Sequence, residues 1–227
     1  MARINHNYYI MKKKILINYW NKFYKKKSIT AESTFAKFTY KKIINKKSTL
    51  LDIGCGNGRD SYYFNRKGLI VTGIDISQKA IQKNSKDKIK NLSFKKFDIG
   101  KDKIKGKFDI IYCRFFVHTV DELLENKLIE LIKNSKNRGT KVFFEFRNYK
   151  DKIFGNFKAK DHNKVVEFEK GHFRRIIDPK IFKKKFLIET KSKIIYPKIV
   201  IMLFIKILIP FIKTLYRWKR IRIRKRW

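Results

Sequence analysis

The sequence has few of the residues that mark exported, metal-binding or multi-domain proteins. Its two cysteines, Cys55 and Cys113, have neither the paired spacing of a zinc site nor the number needed for a disulfide framework. Its three prolines form no linker. The N-terminal region lacks the continuous apolar stretch of a signal peptide. We therefore predict a cytoplasmic protein without a metal site, and 227 residues fit one globular domain.

Acidic residues are also scarce, which leaves a large positive charge. The chain has 19 Asp and Glu against 58 Lys and Arg, a net charge of +39. A field of this strength attracts nucleic acid, anionic lipid or acidic glycan. An A/T-rich genome would give a similar composition, because the codons of Lys, Ile, Asn, Phe and Tyr are rich in A and T. The charge alone does not indicate an RNA enzyme, and nucleic acid is the less favoured partner.

Short apolar runs alternate with helical stretches from Ser48 onwards. The runs are TLLDIG, LIVTGIDI, LSFKKFDI, FDIIYC, TKVFFEF and FLIETK. The helices predicted between them cover 59–67, 77–90 and 121–137. This alternation is typical of an α/β fold, with a mostly parallel sheet and helices on both faces. We predict such a domain over 48–196, preceded by an N-terminal helical cap, 1–47, over the ligand site.

The strongest chemical signal is LLDIGCGNGRD at residues 50–60. Gly54, Gly56 and Gly58 permit a tight turn after an apolar strand and allow a ligand to approach the backbone. The helix that follows offers free N–H groups at its start. A glycine-rich turn of this kind could by itself also serve a dinucleotide.

Three aspartates at the ends of successive predicted strands distinguish a dinucleotide from other nucleotide-like ligands. Asp75 can accept hydrogen bonds from ribose hydroxyls. Asp98 can accept one from an adenine amino group, with Phe97 or Ile99 against the base. Asp52 precedes the glycine turn, where a dinucleotide would place its pyrophosphate, so an acid there favours a cationic ligand. S-adenosylmethionine carries a sulfonium and an α-amino charge and is the predicted cofactor.

These motifs resemble those of the class I S-adenosylmethionine-dependent methyltransferases. The general resemblance is carried by DIGCGNGRD, GIDIS and FDIIYCRFFVH. A narrower resemblance, to the tellurite-resistance type and to methyltransferases encoded with capsule and surface-glycan genes, is carried by YWNKFY, ESTFAKF, RFFVH, FEFR and GHFRRIID. Together the matches span roughly residues 18–190.

The resemblance implies a Rossmann-like fold with a seven-stranded sheet and the cofactor at the carboxyl ends of the first strands. It also implies a set of cofactor-binding positions. These are Asp52, Gly54, Cys55, Gly56, Asp75, Ile76, Phe97, Asp98, Cys113 and Arg114.

Candidate catalytic residues follow the predicted fourth and fifth strands. Methyl transfer is an in-line displacement, so the enzyme mainly aligns donor and acceptor and can also remove a hydroxyl proton. A neutral imidazole accepts a proton near pH 7. The catalytic candidates are His118, His172, Glu145 and Arg114.

Several arginines favour an anionic acceptor, such as an acidic or phosphorylated sugar, because guanidinium groups match oxyanions. Each could instead pair with an acid such as Glu145. The arginines are Arg114, Arg147, Arg174 and Arg175. Residues 150–172 are suited to a lid over the substrate or to a plain surface loop.

The segment 197–227 is a basic and hydrophobic C-terminal tail. Its apolar part, 199–212, is interrupted by Lys206 and too short for a membrane span, which needs about 20 apolar residues. With Trp218, Trp227 and flanking cations, it fits a helix lying on an anionic membrane leaflet. A buried final strand and helix remains the alternative. The sequence therefore does not assign the last strand of the sheet. One candidate, at 186–195, begins with FLIETK.

The sequence thus predicts an O-directed methyltransferase that acts on a surface polysaccharide or a lipid-linked glycan precursor at the inner face of the membrane. One alternative is methylation of a small molecule or a metalloid oxyanion. The other is a degenerate methyltransferase-fold protein that binds membrane or nucleic acid through its charge.

Overall fold

The structure, a computed structural model, describes residues 6–26, 28, 30–43, 47–86, 88–151, 154–169 and 172–190. The helices are α1 His6–Lys26, α2 Thr34–Lys41, α3 Arg59–Arg66, α4 Gln78–Asn84, α5 Glu122–Ser135 and α6 Pro179–Thr190. The strands are β1 Thr49–Ile53, β2 Ile70–Asp75, β3 Leu92–Lys96, β4 Phe108–Arg114, β5 Lys136–Glu145, β6 Val165–Glu169 and β7 His172–Arg175. Short 3-10 helices cover Val117–Thr119 and Ala159–Asp161.

The first five strands form one parallel sheet in the order β3-β2-β1-β4-β5. The predicted α/β class with a Rossmann-like, mostly parallel sheet is confirmed. The strand order reverses between β1 and β4, and a crevice at their carboxyl ends is the usual ligand site of such sheets. The implied seven-stranded sheet is not found in the described part of the chain, where β6 and β7 form a separate antiparallel pair.

Both faces of the sheet are covered, which explains the continuous apolar runs. Leu50 and Leu51 are adjacent on β1 and fully buried, and because side chains alternate along a strand they enter opposite cores. Leu51 packs in a core with Leu128 of α5 and Phe182 of α6. Leu50 packs in a second core with residues of α2 and α3.

The predicted helices at 59–67 and 121–137 correspond to α3 and α5, but α5 ends at Ser135, and residues 136 and 137 belong to β5. The third, predicted at 77–90, begins as expected because Ser77 caps α4 by accepting a hydrogen bond from the Ala80 N–H. It ends at Asn84, whose side-chain amide donates to the Gly56 carbonyl at 2.8 Å. The contact ties the end of α4 to the glycine turn, and the predicted end at 90 was wrong.

The strand predicted at 186–195 is wrong for its described part, since residues 186–190 belong to α6. Phe182, Phe186 and Thr190 recur every four residues and are buried, which is the spacing of one helix face. Phe182 and Phe186 pack edge-on against Phe144 with ring centroids 5.1 and 5.2 Å apart. Burial of residues at helical spacing therefore decides the structure here, although the composition of FLIETK is typical of a strand.

Two further predictions concern segments of the C-terminal third. The segment 150–172, predicted as a lid or a surface loop, includes β6, so it is partly regular structure. The tail, 197–227, lies outside the described residues, and its membrane role stays a prediction. Among the residues that are described, no helix is long and apolar enough to cross a membrane.

Candidate active site

A cavity of about 490 Å³ opens at the carboxyl ends of the parallel strands. Its walls come from the glycine turn after β1, the ends of β2 to β5, helix α1 and strand β7. Ligand cavities in proteins commonly hold about 300–1,000 Å³. The position beside the reversal of strand order and the size both suit a nucleotide-like ligand.

The glycine turn has a backbone conformation and close neighbours that leave no room for other residues. Gly54, Gly56 and Gly58 have φ values of +73°, +54° and +73°, a region that disfavours other residues. A Cβ atom at Gly54 would lie 2.8 Å from Cδ2 of Phe116, and one at Gly56 would overlap the Tyr24 hydroxyl. The predicted glycines are therefore required by both conformation and space.

Asp75 connects the end of β2 to this turn. Its Oδ2 accepts a hydrogen bond from the Gly56 N–H at 2.9 Å, and its Oδ1 accepts one from the Ser77 N–H at 2.8 Å. Burial raises the pKa of this carboxyl. The carboxylate also lines the cavity, so it is placed both to hold the turn and to meet a ligand.

Asp52 is the more deeply buried of the two acids. It accepts a hydrogen bond from the Ser61 hydroxyl at 2.5 Å, and burial raises its pKa to about 7. The neighbouring carboxylates of Asp60 and Asp75 raise this pKa further. A carboxyl in this environment gains from a cationic ligand, because a cation favours its charged form.

The pKa of Asp52 predicts a pH-dependent affinity for a cationic ligand. Near pH 7 this carboxyl is partly protonated, and a bound cation drives the proton off, so affinity rises as pH increases through 7. Below pH 7 we expect S-adenosylmethionine to bind up to about tenfold more weakly per pH unit. Calorimetry between pH 5.5 and 7.5 measures this. Asp52→Asn should flatten the profile, and an equal slope in that variant would contradict the assignment.

The structure brings together nearly all of the predicted cofactor positions. Those that line the cavity are Asp52, Gly54, Cys55, Gly56, Asp75, Ile76, Phe97, Asp98 and Arg114. Cys113 is the exception, because its side chain is fully buried in the core with Leu51 and Leu128. Side chains alternate along β4, so Arg114 and Cys113 point to different faces. The Cys113 side chain therefore does not reach the cavity, and a part for this position in cofactor binding stays a prediction.

Cationic side chains also line the cavity. Arg114 forms an ion pair with Glu145, and Arg147 forms one with Asp151 at 2.5 Å. Both guanidinium groups lie over the ring of Phe115, with Cζ 4.1 and 5.4 Å from its centroid. Glu145, a predicted catalytic residue, does not line the cavity. It supports Arg114 instead, and burial raises its pKa.

His118 also lines the cavity. Burial lowers its pKa well below 6.5, and the nearby arginines lower it further, so the ring is neutral at pH 7. Its Nδ1 accepts a hydrogen bond from the Arg147 N–H at 3.3 Å. A neutral imidazole that accepts at Nδ1 carries its hydrogen on Nε2. His118 is therefore arranged as a hydrogen-bond donor, and it could act as a base only if the Nδ1 bond were lost.

His172 also lines the cavity, but the protein uses both of its ring nitrogens. Nδ1 is hydrogen-bonded to the Tyr19 hydroxyl at 2.9 Å, and Nε2 accepts from Arg174 Nε at 3.5 Å. Its ring stacks on Tyr19 with centroids 4.5 Å apart. The geometry favours a tether between β7 and α1 over the predicted role as a base.

Arg175 lies elsewhere than predicted. Its side chain is buried and forms an ion pair with Glu125, and its Nε donates to the Val120 carbonyl at 3.0 Å. It does not line the cavity, so it is not available to an acceptor. The neighbouring Arg174 does line the cavity.

Helix α1 supplies wall residues that were not singled out from the sequence. They are Leu16, Tyr19, Trp20, Phe23 and Tyr24. Their spacing of three and four residues places them on one helix face, and this periodicity in YWNKFY is the signal that could have identified them. Asn21 anchors the helix beside Asp75, because its Oδ1 accepts from the Ser77 hydroxyl at 2.9 Å.

Comparison with known sequences places the chain in a broad enzyme group. A family described as "Methyltransferase domain" matches residues 44–187. The 235L protein of Invertebrate iridescent virus 6, whose name assigns it provisionally as a methyltransferase, is 29% identical over 127 residues. The match covers 54% of this chain and 47% of that protein, so the chain spans about half the length of this relative.

Solved structures share the fold. A protein of Pyrococcus horikoshii OT3 superposes with a TM-score of 0.56 at 18% identity, over 75% of this chain and 88% of that one. An S-adenosylmethionine-dependent methyltransferase of Mesorhizobium loti gives 0.52 at 15%, over 68% and 80%. The glycopeptide N-methyltransferase MtfA in complex with S-adenosylmethionine gives 0.56 at 12%, over 71% and 84%.

Proposed function

Since the chain belongs to the methyltransferase domain family, whose class I fold takes S-adenosyl-L-methionine as cofactor, we propose that it methylates an oxygen of an anionic acceptor. The acceptor class we propose is an acidic or phosphorylated glycan, or its lipid-linked precursor at the inner face of a membrane. The observation that supports this is that three arginines line the same cavity as the predicted cofactor acids. We call Asp52, Asp75 and Asp98 the acidic half of the lining, and Arg114, Arg147 and Arg174 the basic half.

The acidic half fits the cofactor. Two buried carboxyls, Asp52 and Asp75, face a ligand with two positive charges. The glycine turn lines the cavity, with Phe116 and Tyr24 packed where Cβ atoms of Gly54 and Gly56 would lie. Asp98 and Phe97 at the end of β3 stand where an adenine would lie, and both are largely buried. The residues present therefore match the charge and shape of S-adenosylmethionine.

The basic half is suited to hold and orient an acceptor. When bound, S-adenosylmethionine supplies a methyl group made electrophilic by its sulfonium. The guanidinium groups of Arg114 and Arg147 can fix an oxyanion of the acceptor. His118 can donate a hydrogen bond to an acceptor oxygen beside the attacking one, and the proton of an attacking hydroxyl leaves to solvent. The aromatic face of α1 excludes water, which strengthens these electrostatic contacts.

A smaller acceptor is the second candidate, and the size of the cavity favours it. Cofactor and acceptor share about 490 Å³ under α1. This volume admits a small anionic molecule, a metalloid oxyanion or only the terminal sugar of a glycan chain.

Transfer of labelled methyl groups tests the proposal and separates the two candidates. The full chain would be incubated with methyl-labelled cofactor and paired acceptors, a glucuronate-terminated and a glucose-terminated oligosaccharide, each free and lipid-linked, and with tellurite. We expect at least about tenfold preference for the acidic partner. Transfer to tellurite alone would favour the small-acceptor candidate. Equal transfer to acidic and neutral partners would overturn the proposed acceptor class.

A single arginine variant tests the basic half directly. Arg147→Gln should raise KM for the acidic acceptor about 10- to 100-fold, because a charged hydrogen bond is lost. Arg138→Gln is the matched control, since Arg138 is exposed at the start of β5. An unchanged KM in Arg147→Gln would contradict the role of this arginine.

A further inference from the structure

We propose that Phe115 is a positioning residue whose ring holds the guanidinium groups of Arg114 and Arg147 together as one receptor for an oxyanion of phosphate or carboxylate type. The inference deepens the proposed function and rests on it for the identity of the acceptor. It concerns a residue that touches both cations and lines the cavity.

The backbone of Phe115 is strained where β4 ends. Its φ is +54°, and the other non-glycine residues with positive φ in the described chain are Asn91 and Asn163. Asparagine tolerates this region, whereas a bulky residue there is a genuine outlier. Strained residues persist where the surrounding structure holds them, often at functional sites. The Phe115 N–H donates to the Glu145 carbonyl at 2.7 Å, which keeps this residue joined to β5.

The strained turn separates two adjacent aromatic rings. Phe116 packs over the glycine turn, where its ring occupies the space that a Cβ atom of Gly54 would need. Phe115 lies instead under Arg114 and Arg147. One turn of the backbone therefore links the cofactor half of the cavity to the acceptor half.

The ring brings together two cations that would otherwise repel each other. Both Cζ atoms lie within about 6 Å of the ring centroid, the range of cation–π attraction. Arg114 is paired with Glu145 and Arg147 with Asp151, so each guanidinium is held from a second side. Both side chains remain partly exposed, at 20% and 29%.

Two guanidinium groups in contact with one ring favour an acceptor of a particular chemistry. Phosphate and carboxylate offer several oxygens in a plane or a tetrahedron, which paired N–H donors match. A neutral hydroxyl group accepts weaker hydrogen bonds from these guanidinium groups than an oxyanion does. The arrangement therefore discriminates by charge close to the reacting atoms.

Binding of inorganic phosphate tests the receptor without knowledge of the acceptor. The full chain loaded with S-adenosylhomocysteine would be titrated with phosphate by calorimetry at fixed ionic strength. We expect saturable binding and an increase in Kd of about tenfold in Phe115→Leu, which removes the ring and keeps apolar bulk. Phe115→Tyr retains the ring face and should restore Kd to within about twofold. Phe115→Gly, which also relieves the positive φ, serves if the leucine variant misfolds.

The outcomes distinguish this inference from the proposed function. If the wild type does not bind phosphate, or Arg147→Gln weakens phosphate binding while Phe115→Leu and Phe115→Gly do not, the positioning role is overturned. A loss confined to melting temperature, with phosphate Kd unchanged, would also overturn it. If phosphate binding depends on Phe115 but acidic acceptors are not methylated in preference, the proposed function fails and the receptor stands.

Discussion

Replacing Asp75 with alanine is expected to weaken binding of S-adenosylmethionine by at least about 100-fold. Two effects combine in this variant. The carboxylate that faces the cofactor is lost, and the Gly56 and Ser77 N–H groups lose the acceptor that holds them at 2.9 and 2.8 Å. The glycine turn then loses its connection to the end of β2.

Calorimetric titration of the purified chain with S-adenosylmethionine measures this effect. Asp109→Ala is the matched control, because Asp109 lies at the start of β4 and binds Thr49 at the opposite end of the sheet. Unchanged affinity in folded Asp75→Ala would place the cofactor elsewhere. Absence of binding by the folded wild type would favour the degenerate, non-enzymatic alternative.

The largest effect on stability is expected from Arg175→Met, which should lower the free energy of unfolding by about 3–5 kcal/mol. Glu125 would remain buried and keep only Lys185 as a charged partner, at 3.0 Å. Asn163 and the Val120 carbonyl would lose donors at 2.5 and 3.0 Å. For a chain of this length the loss corresponds to a fall in Tm of roughly 6–20 °C.

Thermal and urea unfolding check this prediction, with Arg174→Met as the control. Arg174 lines the cavity, so its replacement should change acceptor binding more than Tm. The double variant Arg175→Met with Glu125→Leu should recover part of the loss, because no unpaired charge then stays buried. A Tm for Arg175→Met equal to that of the wild type would refute the structural role of this arginine.

The cofactor half of the cavity could be predicted from the sequence because local chemistry defines it. Gly54 and Gly56 sit in a turn that only glycine permits, and Asp52 and Asp75 end strands whose apolar runs are continuous. The carboxyl ends of parallel strands converge, so a linear pattern becomes a spatial cluster with little further information. The general match to the methyltransferase domain rests on these same motifs.

The acceptor half depended on contacts between distant parts of the chain. Arg174 and Arg175 are neighbours in sequence, yet one lines the cavity and the other is buried against Glu125. Alternation along β7 predicts that the two side chains point to opposite faces, but not which face meets the cavity, because that depends on what packs beside each face. The narrower likeness to tellurite-resistance and glycan-cluster enzymes stays a prediction, since the family match is to the general methyltransferase domain.

The sequence by itself determined the class of fold, the position of the glycine turn and the acids that line the cavity. It did so because periodicity, glycine conformation and the placement of charge at strand ends are local properties. Only the tertiary structure decided that 186–190 form a helix, which residues of α1 line the cavity, and that His172 is tied to Tyr19. These outcomes depend on burial against residues far away in the chain, where packing outweighs local preference.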